Sequence, residues 1–227
     1  MAAILAQKRI TMPGQFHQQF AQFVESYQKQ HPTLLSWLDP EQDSPCQYGD
    51  VVDGEVHWRP VKAEPALDLS KTQQALELQF PEQLSEFYTS YFGGGLKVRH
   101  DRGELELLMS WHQADFERLQ QNIIAHILMK RRLKQRETVF IAATDHDDYL
   151  VSVLVATGEV YLEKVGMEVK ELLAKDLATF LQQLSFWAGP ALKVDSQKLY
   201  SILAGKVHNK NQTGHASSDL MSSLRHS

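Results

Sequence analysis

One stretch of the chain, residues 104–136, constrains the fold most, because it predicts a strand, a helix start and a long helix in direct succession. It begins with alternating polar and apolar residues, which is typical of a strand with one buried face. Ser110 stands three residues before Gln113, the spacing of a capping box, and therefore predicts the start of a helix. Apolar residues then recur at steps of three and four, and basic residues gather at the end, as expected for an amphipathic helix packed on a sheet. The apolar positions are Phe116, Leu119, Ile123 and Ile127, and the basic ones are Lys130, Arg131, Arg132, Lys134 and Arg136.

Similar patterns predict the other elements. A helix begins near Pro13 and ends at His31, because the residue before a proline is pushed out of the helical region. Asp53-Gly54 suits a type I′ turn between two short strands. The remaining predictions are a helix over 82–92, strands over 96–100 and 137–143, a hairpin of 149–156 with 159–164, and a last helix over 168–186.

Composition limits the class of protein. The chain has 227 residues, 43% of them hydrophobic, which is enough for one domain with a proper core. We expect a soluble, cytoplasmic protein, because we see no continuous apolar run long enough to span a membrane and no signal-peptide pattern. The single cysteine, Cys46, excludes an internal disulfide framework and a multi-cysteine zinc site.

Charge is spread unevenly along the chain. Residues 191–227 carry five basic and two acidic side chains, so the preceding 190 residues hold a net charge of −8 within the total of −5. Between Asp39 and Asp68 there are eight acidic residues and two basic ones, a pattern for which a solvated loop is the favoured interpretation. An acidic body repels nucleic acid and attracts basic partners. Beyond Gly189-Pro190 the composition predicts a weakly ordered extension over 189–227.

A search for chemistry finds no catalytic signature. The histidine spacings fit no zinc motif, and Asp145, Asp147 and Asp148 lack the later ligands of a calcium loop. No nucleophile elbow or dinucleotide fingerprint is present. We therefore predict a protein that is not an enzyme and needs no cofactor or metal. The basic run from Lys130 to Arg136 can contact anionic lipid headgroups, although a solvated helix end is the simpler interpretation.

Several short motifs, taken together and in order, resemble the Syd family of SecY-interacting proteins, within the SUKH superfamily. The resemblance covers most of residues 15–184. The motifs include Ser44-Pro45-Cys46, Trp58-Arg59-Pro60, Phe87-Tyr88-Thr89 with the glycines that follow, and Leu108-Met109-Ser110-Trp111 leading into Asp115-Phe116-Glu117-Arg118. Further similar segments are residues 121–126, 130–134, 139–144, 151–153 and 177–184.

The resemblance implies a single α+β domain with a mixed, mainly antiparallel sheet flanked by helices, to which we assign residues 1–188. The extension over 189–227 departs from the family pattern, which has no counterpart for it. It also implies a concave acidic surface that binds basic cytoplasmic loops of SecY, the channel of the protein translocase. Such a protein would associate loosely with the cytoplasmic side of the bacterial inner membrane, sense or sequester unassembled SecY and restrain translocation. We predict that the acidic surface includes Asp115, from a matching motif, and six residues placed at strand ends or on polar strand faces. These six are Asp145, Asp147, Asp148, Glu104, Glu106 and Glu159.

Two other functions stay open at this point. The SUKH superfamily includes immunity proteins that neutralise nuclease toxins, where an acidic face would mimic nucleic acid. A hydrolase without a recognisable motif is the third alternative, and a ligand-sized pocket with convergent, perturbed carboxylates would favour it.

Overall fold

The computed structural model describes residues 14–37, 43–146 and 148–187, which form five helices and twelve strands. The predicted extension over 189–227 and Asp147 lie outside these residues. The helices are α1 (Gln15–Gln30), α2 (Ser70–Leu76), α3 (Glu82–Thr89), α4 (Gln113–Arg132) and α5 (Leu177–Gln182). The strands are β1 (Leu34–Trp37), β2 (Gln47–Val52), β3 (Glu55–Trp58), β4 (Val61–Lys62), β5 (Tyr91–Phe92), β6 (Leu96–His100), β7 (Gly103–Leu107), β8 (Thr138–Thr144), β9 (Tyr149–Leu154), β10 (Val160–Lys164), β11 (Glu171–Ala174) and β12 (Ser185–Phe186).

A seven-stranded sheet forms the centre of the domain, in the order β11-β10-β9-β8-β7-β6-β12. All its pairings are antiparallel. The middle strand, β8, has all seven residues buried, which explains its continuous apolar sequence. Helix α4 contacts β8, while α1 packs on α3 and α5. This architecture confirms the predicted α+β fold with a mainly antiparallel sheet and flanking helices.

A smaller sheet, in the order β1-β3-β2, stands beside the large one. Its β2–β3 hairpin turns at Asp53 and Gly54, whose φ angles of 52° and 81° are both positive, as a type I′ turn requires. The predicted turn is thus confirmed. One face of the sheet turns inward, because Val56 and Trp58 of β3 are buried in the core. A two-stranded ribbon of β4 and β5 follows.

The last predicted helix, over 168–186, is wrong. The segment instead forms β11, α5 and β12, which pair with or pack on the large sheet at both of its edges. Helix α5 begins only at Leu177, because the Asp176 side chain accepts a hydrogen bond from the amide of Thr179. The apolar residues of the segment 168–186 fit helical spacing. However, β11 pairs with β10, and the backbone hydrogen bonds of this pairing decide the conformation of β11.

Two helix boundaries also differ from prediction. Helix α4 begins two residues later than Ser110 suggested, since His112 is the capping residue and its Nδ1 accepts from the amide of Asp115. Helix α3 ends at Thr89 instead of reaching Phe92. There the hydroxyl groups of Thr89 and Ser90 donate to backbone carbonyls one turn earlier, and the next residues pair with β4 as β5.

Candidate partner-binding cleft

A cleft of about 700 Å³ opens between the start of β2, the loop joining β4 to α2, and the first turns of α4. Four carboxylates line it against one lysine, Lys71. We call it the acidic cleft and define it by these carboxylates, which are Asp43, Glu64, Asp68 and Glu117. All four residues are exposed, so their charges face solvent and any ligand in the cleft.

Part of the lining of the acidic cleft is apolar. Pro45, Pro65 and Leu67 line it, together with the rings of Phe92 and Phe116. Phe116 belongs to the buried core, so this part of the surface is continuous with the interior and is held rigidly. A cleft lined by carboxylates and apolar side chains suits a partner with both basic and apolar side chains.

The loop wall is fixed by backbone hydrogen bonds to α3. The amide of Ala63 donates to the carbonyl of Ser90 at 2.9 Å, and that of Leu67 donates to Thr89 at 3.1 Å. At the end of the loop, Asp68 accepts from the amide and hydroxyl of Ser70, at 2.8 and 2.6 Å. Hydrogen bonding to Ser70 lowers the pKa of Asp68, so its negative charge persists at neutral pH.

The opposite wall depends on a contact between distant segments. The hydroxyl of Ser44 donates to the carbonyl of Trp111, just before α4, and accepts from the amide of Cys46 at 3.1 Å. The Trp111 ring meets the ring of Trp58 edge to face, with centroids 5.5 Å apart. Three of the motifs that carry the family resemblance, at residues 44–46, 58–60 and 108–111, therefore meet beside the acidic cleft, where they hold its wall in place.

The groups at the acidic cleft do not form a recognisable catalytic set. Hydrogen bonding to Ser70 lowers the pKa of Asp68, whereas a general acid at neutral pH needs an upward shift. Burial raises the pKa of Cys46 to about 11, although hydrogen bonds with Ser44 and Val61 oppose the rise, so the thiol stays protonated. Within residues 14–37, 43–146 and 148–187, no cluster of three His, Cys, Asp or Glu side chains could hold a metal ion.

The structure places the sequence-predicted acidic residues at several positions. Glu104 and Asp145 line a second, smaller concavity of about 160 Å³, together with Arg102, His100 and His146. Glu104 is ion-paired with Arg99, at 2.9 Å between Oε1 and the guanidinium. This concavity therefore brings two of the predicted carboxylates together, but cationic and titratable groups surround them.

Asp115 and Glu106 serve the fold directly. Asp115 accepts from the amide of Trp111 at 2.8 Å and from Arg118 at 3.0 Å, and its side chain is only 14% exposed. Glu106 lies opposite Lys97 on β6, with its carboxylate folded closely over Gly95. Neither side chain lines the acidic cleft.

Asp148 and Glu159 lie at opposite ends of the β9–β10 hairpin. Asp148 precedes β9, whereas Glu159 follows the turn at the far end and accepts from the hydroxyls of Thr157 and Tyr161. Among the described residues, the predicted set is thus not gathered into one concave surface, and its role in partner binding stays a prediction. The carboxylates of the acidic cleft were missed, although three of them lie in the acidic stretch from Asp39 to Asp68 that was interpreted as a solvated loop.

Much of the basic run from Lys130 to Arg136, which begins in the last turn of α4, is paired internally. Lys130 is fully buried against Glu163, and Arg131 contacts Glu137 at 2.5 Å. Arg136 contacts Glu168 at 2.7 Å and donates to the carbonyl of Val169. Contact of this run with anionic lipid stays a prediction, and these three side chains already have partners. Within the described residues, no helix combines the length and apolar composition that crossing a bilayer requires.

Comparison with known proteins agrees with the fold and its motifs. The family model described as Syd protein (SUKH-2) matches residues 14–185. The chain is 44% identical over 149 residues to protein Syd of Pseudoalteromonas atlantica, which covers 64% of this chain and 80% of that protein. It is 42% identical over 171 residues to protein Syd of Pseudoalteromonas translucida, covering 75% and 94%, and 39% identical over 167 residues to protein Syd of Psychromonas ingrahamii, covering 73% and 91%. On this evidence the chain belongs to the Syd protein (SUKH-2) family.

Proposed function

We propose that this protein is a SecY-binding regulator that holds a basic cytoplasmic loop of the translocase channel in the acidic cleft. Membership of the Syd family supports the choice of partner. The observation that carries the proposed mode of binding is the cleft itself, about 700 Å³ in volume and lined by four carboxylates and one lysine. We further propose that the protein acts at the cytoplasmic side of the inner membrane, where it senses or sequesters unassembled SecY and restrains translocation.

The composition of the cleft suits a weak and selective interaction. An exposed ion pair contributes only about 0.2–1 kcal/mol, so the carboxylates alone cannot give tight binding. Their larger effect is on the rate of encounter and on the rejection of acidic partners. The apolar lining, which includes Phe92 and Pro65, would supply the contacts that become buried on binding and carry affinity in most interfaces.

An exposed lysine, Lys62, partly offsets the negative charge of the acidic cleft. Lys62 lies 3.5 Å from Glu64, with both side chains well exposed at 54% and 75%. A lysine or arginine of the partner would compete for Glu64, and this exchange costs little because an exposed pair is weak. The cleft can therefore accept a basic segment without breaking a buried interaction.

The test compares two variants that lose the same charge. The cleft variant carries Asp43→Asn, Glu64→Gln and Glu117→Gln, and the control variant carries Asp145→Asn, Asp147→Asn and Asp148→Asn. Purified SecY in detergent is titrated with each protein. We expect the cleft variant to bind roughly 3- to 100-fold more weakly, from three lost contacts of the usual size, while the control stays within about threefold of the unmodified protein.

Four other results would change the conclusion. Loss of binding in the control variant alone would move the site to the acidic residues predicted from sequence. Equal loss in both variants would indicate a general effect of net charge. Retention in both, or binding that is insensitive to salt between about 10 and 150 mM, would rule out acidic docking, since exposed charges are screened over this range.

A further inference from the structure

One ring nitrogen of His112 is a hydrogen-bond donor without a protein partner at the acidic cleft. His112 is the N-cap of α4 and lines the cleft. Its Nδ1 accepts from the amide of Asp115 at 3.0 Å, so the single proton of the neutral ring is on Nε2. The residue is only 8% exposed, and Nε2 has no hydrogen-bond partner among the described residues. A donor so nearly buried needs an acceptor from outside the fold, which a bound ligand can supply.

Gln120 provides a second donor two turns further along α4. Its side-chain oxygen accepts from the hydroxyl of Thr72 at 2.7 Å, which orients the amide group. Within the part of the chain that the structure describes, the amide nitrogen of Gln120 has no partner. Phe116 stands between the two donors at steps of four residues, and His112, Phe116 and Gln120 all line the cleft. The α4 wall of the acidic cleft therefore carries a donor at each end of one helical face.

The charge of the acidic cleft limits what these donors can bind. Four carboxylates and one lysine line the cleft, so an anionic acceptor would be repelled. A neutral carbonyl oxygen is the remaining common acceptor in a protein partner. The main chain offers one at every residue, whatever the side chains are. A basic segment can therefore place its cations on the carboxylates and its main-chain carbonyls on the α4 wall.

The spacing of the donors fits an extended main chain. His112 and Gln120 are eight residues apart, and a helix rises 1.5 Å per residue, which separates them by about 12 Å along α4. An extended strand advances about 3.3 Å per residue, or about 13 Å over four residues, and alternate residues point to the same side. One short extended segment can thus reach both donors. A helical segment cannot, because its carbonyls are already bonded within the helix.

We propose that the acidic cleft binds its basic partner as an extended peptide, with two main-chain carbonyls accepting from Nε2 of His112 and from the side-chain amide of Gln120. This inference rests on the proposed function and adds the conformation in which the SecY loop is held. The two donors select for extended backbone, whereas the carboxylates select for basic side chains. Both residues are therefore positioning residues of the site, in addition to their structural bonds to Asp115 and Thr72.

The test compares three variants that each add one negative charge to the cleft. His112→Asp keeps an oxygen that can cap α4 but removes the ring donor. Gln120→Glu keeps an acceptor for Thr72 and removes the amide donor. Gln113→Glu, at an exposed residue that lines the cleft, is the matched control. Melting temperatures show that each variant is folded, and Gln120→Glu carries the comparison if His112→Asp is not.

Binding to purified SecY in detergent should change in opposite directions. We expect Gln113→Glu to bind up to about fivefold more tightly, since it adds one exposed ion pair. His112→Asp and Gln120→Glu should each bind roughly 3- to 10-fold more weakly despite the added charge, because each loses a hydrogen bond and turns a carboxylate towards a carbonyl oxygen.

Other outcomes separate this inference from the proposed function. If all three variants bind more tightly, the cleft is the SecY site but charge alone decides binding, and the main-chain contact is overturned. Weaker binding of His112→Asp with tighter binding of Gln120→Glu would overturn the two-point contact. If none of the three changes the affinity, and the cleft variant with Asp43→Asn, Glu64→Gln and Glu117→Gln also binds normally, the proposed function and this inference both fail.

Discussion

Nζ of Lys130 and Oε1 of Glu163 lie 3.0 Å apart, and neither side chain has any solvent exposure. Around them, Thr138 and Ser152 donate to the other carboxylate oxygen at 2.7 and 2.6 Å. Nε2 of His126 lies 3.0 Å from the Thr138 hydroxyl and 3.5 Å from Oε1 of Glu163. The network joins α4 to β8, β9 and β10. It therefore fixes the position of the long helix whose first turn lines the acidic cleft.

The first prediction concerns the cost of breaking this pair. Lys130→Met leaves a buried carboxylate without its cation, so we expect a loss of about 3–5 kcal/mol in the free energy of unfolding. The double variant Lys130→Met/Glu163→Met should lose less than the sum of the two single changes, because it removes both charges. Lys62→Met at the exposed Lys62–Glu64 pair is the control, and it should change stability by less than about 1 kcal/mol. Urea unfolding of each variant measures these values, and additive losses would contradict the pairing.

The second prediction is the pH dependence of stability. Burial opposes ionisation of Glu163, but hydrogen bonding and charge from His126, the charge of Lys130 and the Ser152 hydroxyl outweigh it and lower the pKa to about 2. Because the folded pKa is below the ordinary value of 4.5, this stabilisation is complete above pH 4.5 and is lost as the pH falls towards 2. Unfolding titrations between pH 6 and 2.5 should show a steeper acid loss in the parent protein than in Glu163→Gln. If the stability of the parent protein and of Glu163→Gln fell in parallel with pH, Glu163 would not be the source of the acid sensitivity.

The sequence predicted elements well where one local pattern dominates. Helix α1 was found because its apolar spacing agrees with the proline that follows His31. The Asp53-Gly54 turn was found because few dipeptides accept two positive φ angles. The segment 168–186 failed for the opposite reason, since its apolar residues fit a helix and its strands are specified by partners at the far edges of the sheet.

The residues that line the acidic cleft could not have been predicted from the sequence. Asp43, Glu64 and Glu117 come from three segments that meet only through tertiary contacts, such as the bond from Ser44 to Trp111. Local sequence favoured acidic residues at strand ends as the partner-binding set. However, Asp148 and Glu159 lie at opposite ends of the β9–β10 hairpin. Position at strand ends did identify Glu104 and Asp145, which share the second concavity, but it did not identify the carboxylates of the acidic cleft.

The third prediction tests the revised start of α4. Asp115→Ala removes the acceptor for the Trp111 amide and the partner of Arg118, so it should destabilise the protein by about 0.5–2 kcal/mol. Ser110→Ala is the matched control, because the buried Ser110 hydroxyl has no hydrogen-bond partner among the described residues. That substitution should be neutral or slightly stabilising. Thermal unfolding followed by circular dichroism separates the two, and a larger cost for Ser110→Ala would restore the capping box predicted from sequence.

The fourth prediction concerns the rigidity of the cleft wall. A Cβ on Gly94 would lie 2.9 Å from the Trp58 ring, which in turn packs on Trp111. Gly94→Ala should therefore push Trp58 aside, cost about 1–3 kcal/mol, and shift the tryptophan emission of the folded protein. Gly166→Ala is a poor control because its φ of 82° adds backbone strain, whereas Ala66→Ser is a small change at an exposed residue that lines the cleft. If the wall positions a SecY loop, Gly94→Ala should also weaken SecY binding, while Ala66→Ser should not. If Gly94→Ala lowered stability but left SecY affinity unchanged, the wall formed by Trp58 and Trp111 would not be part of the SecY-binding site.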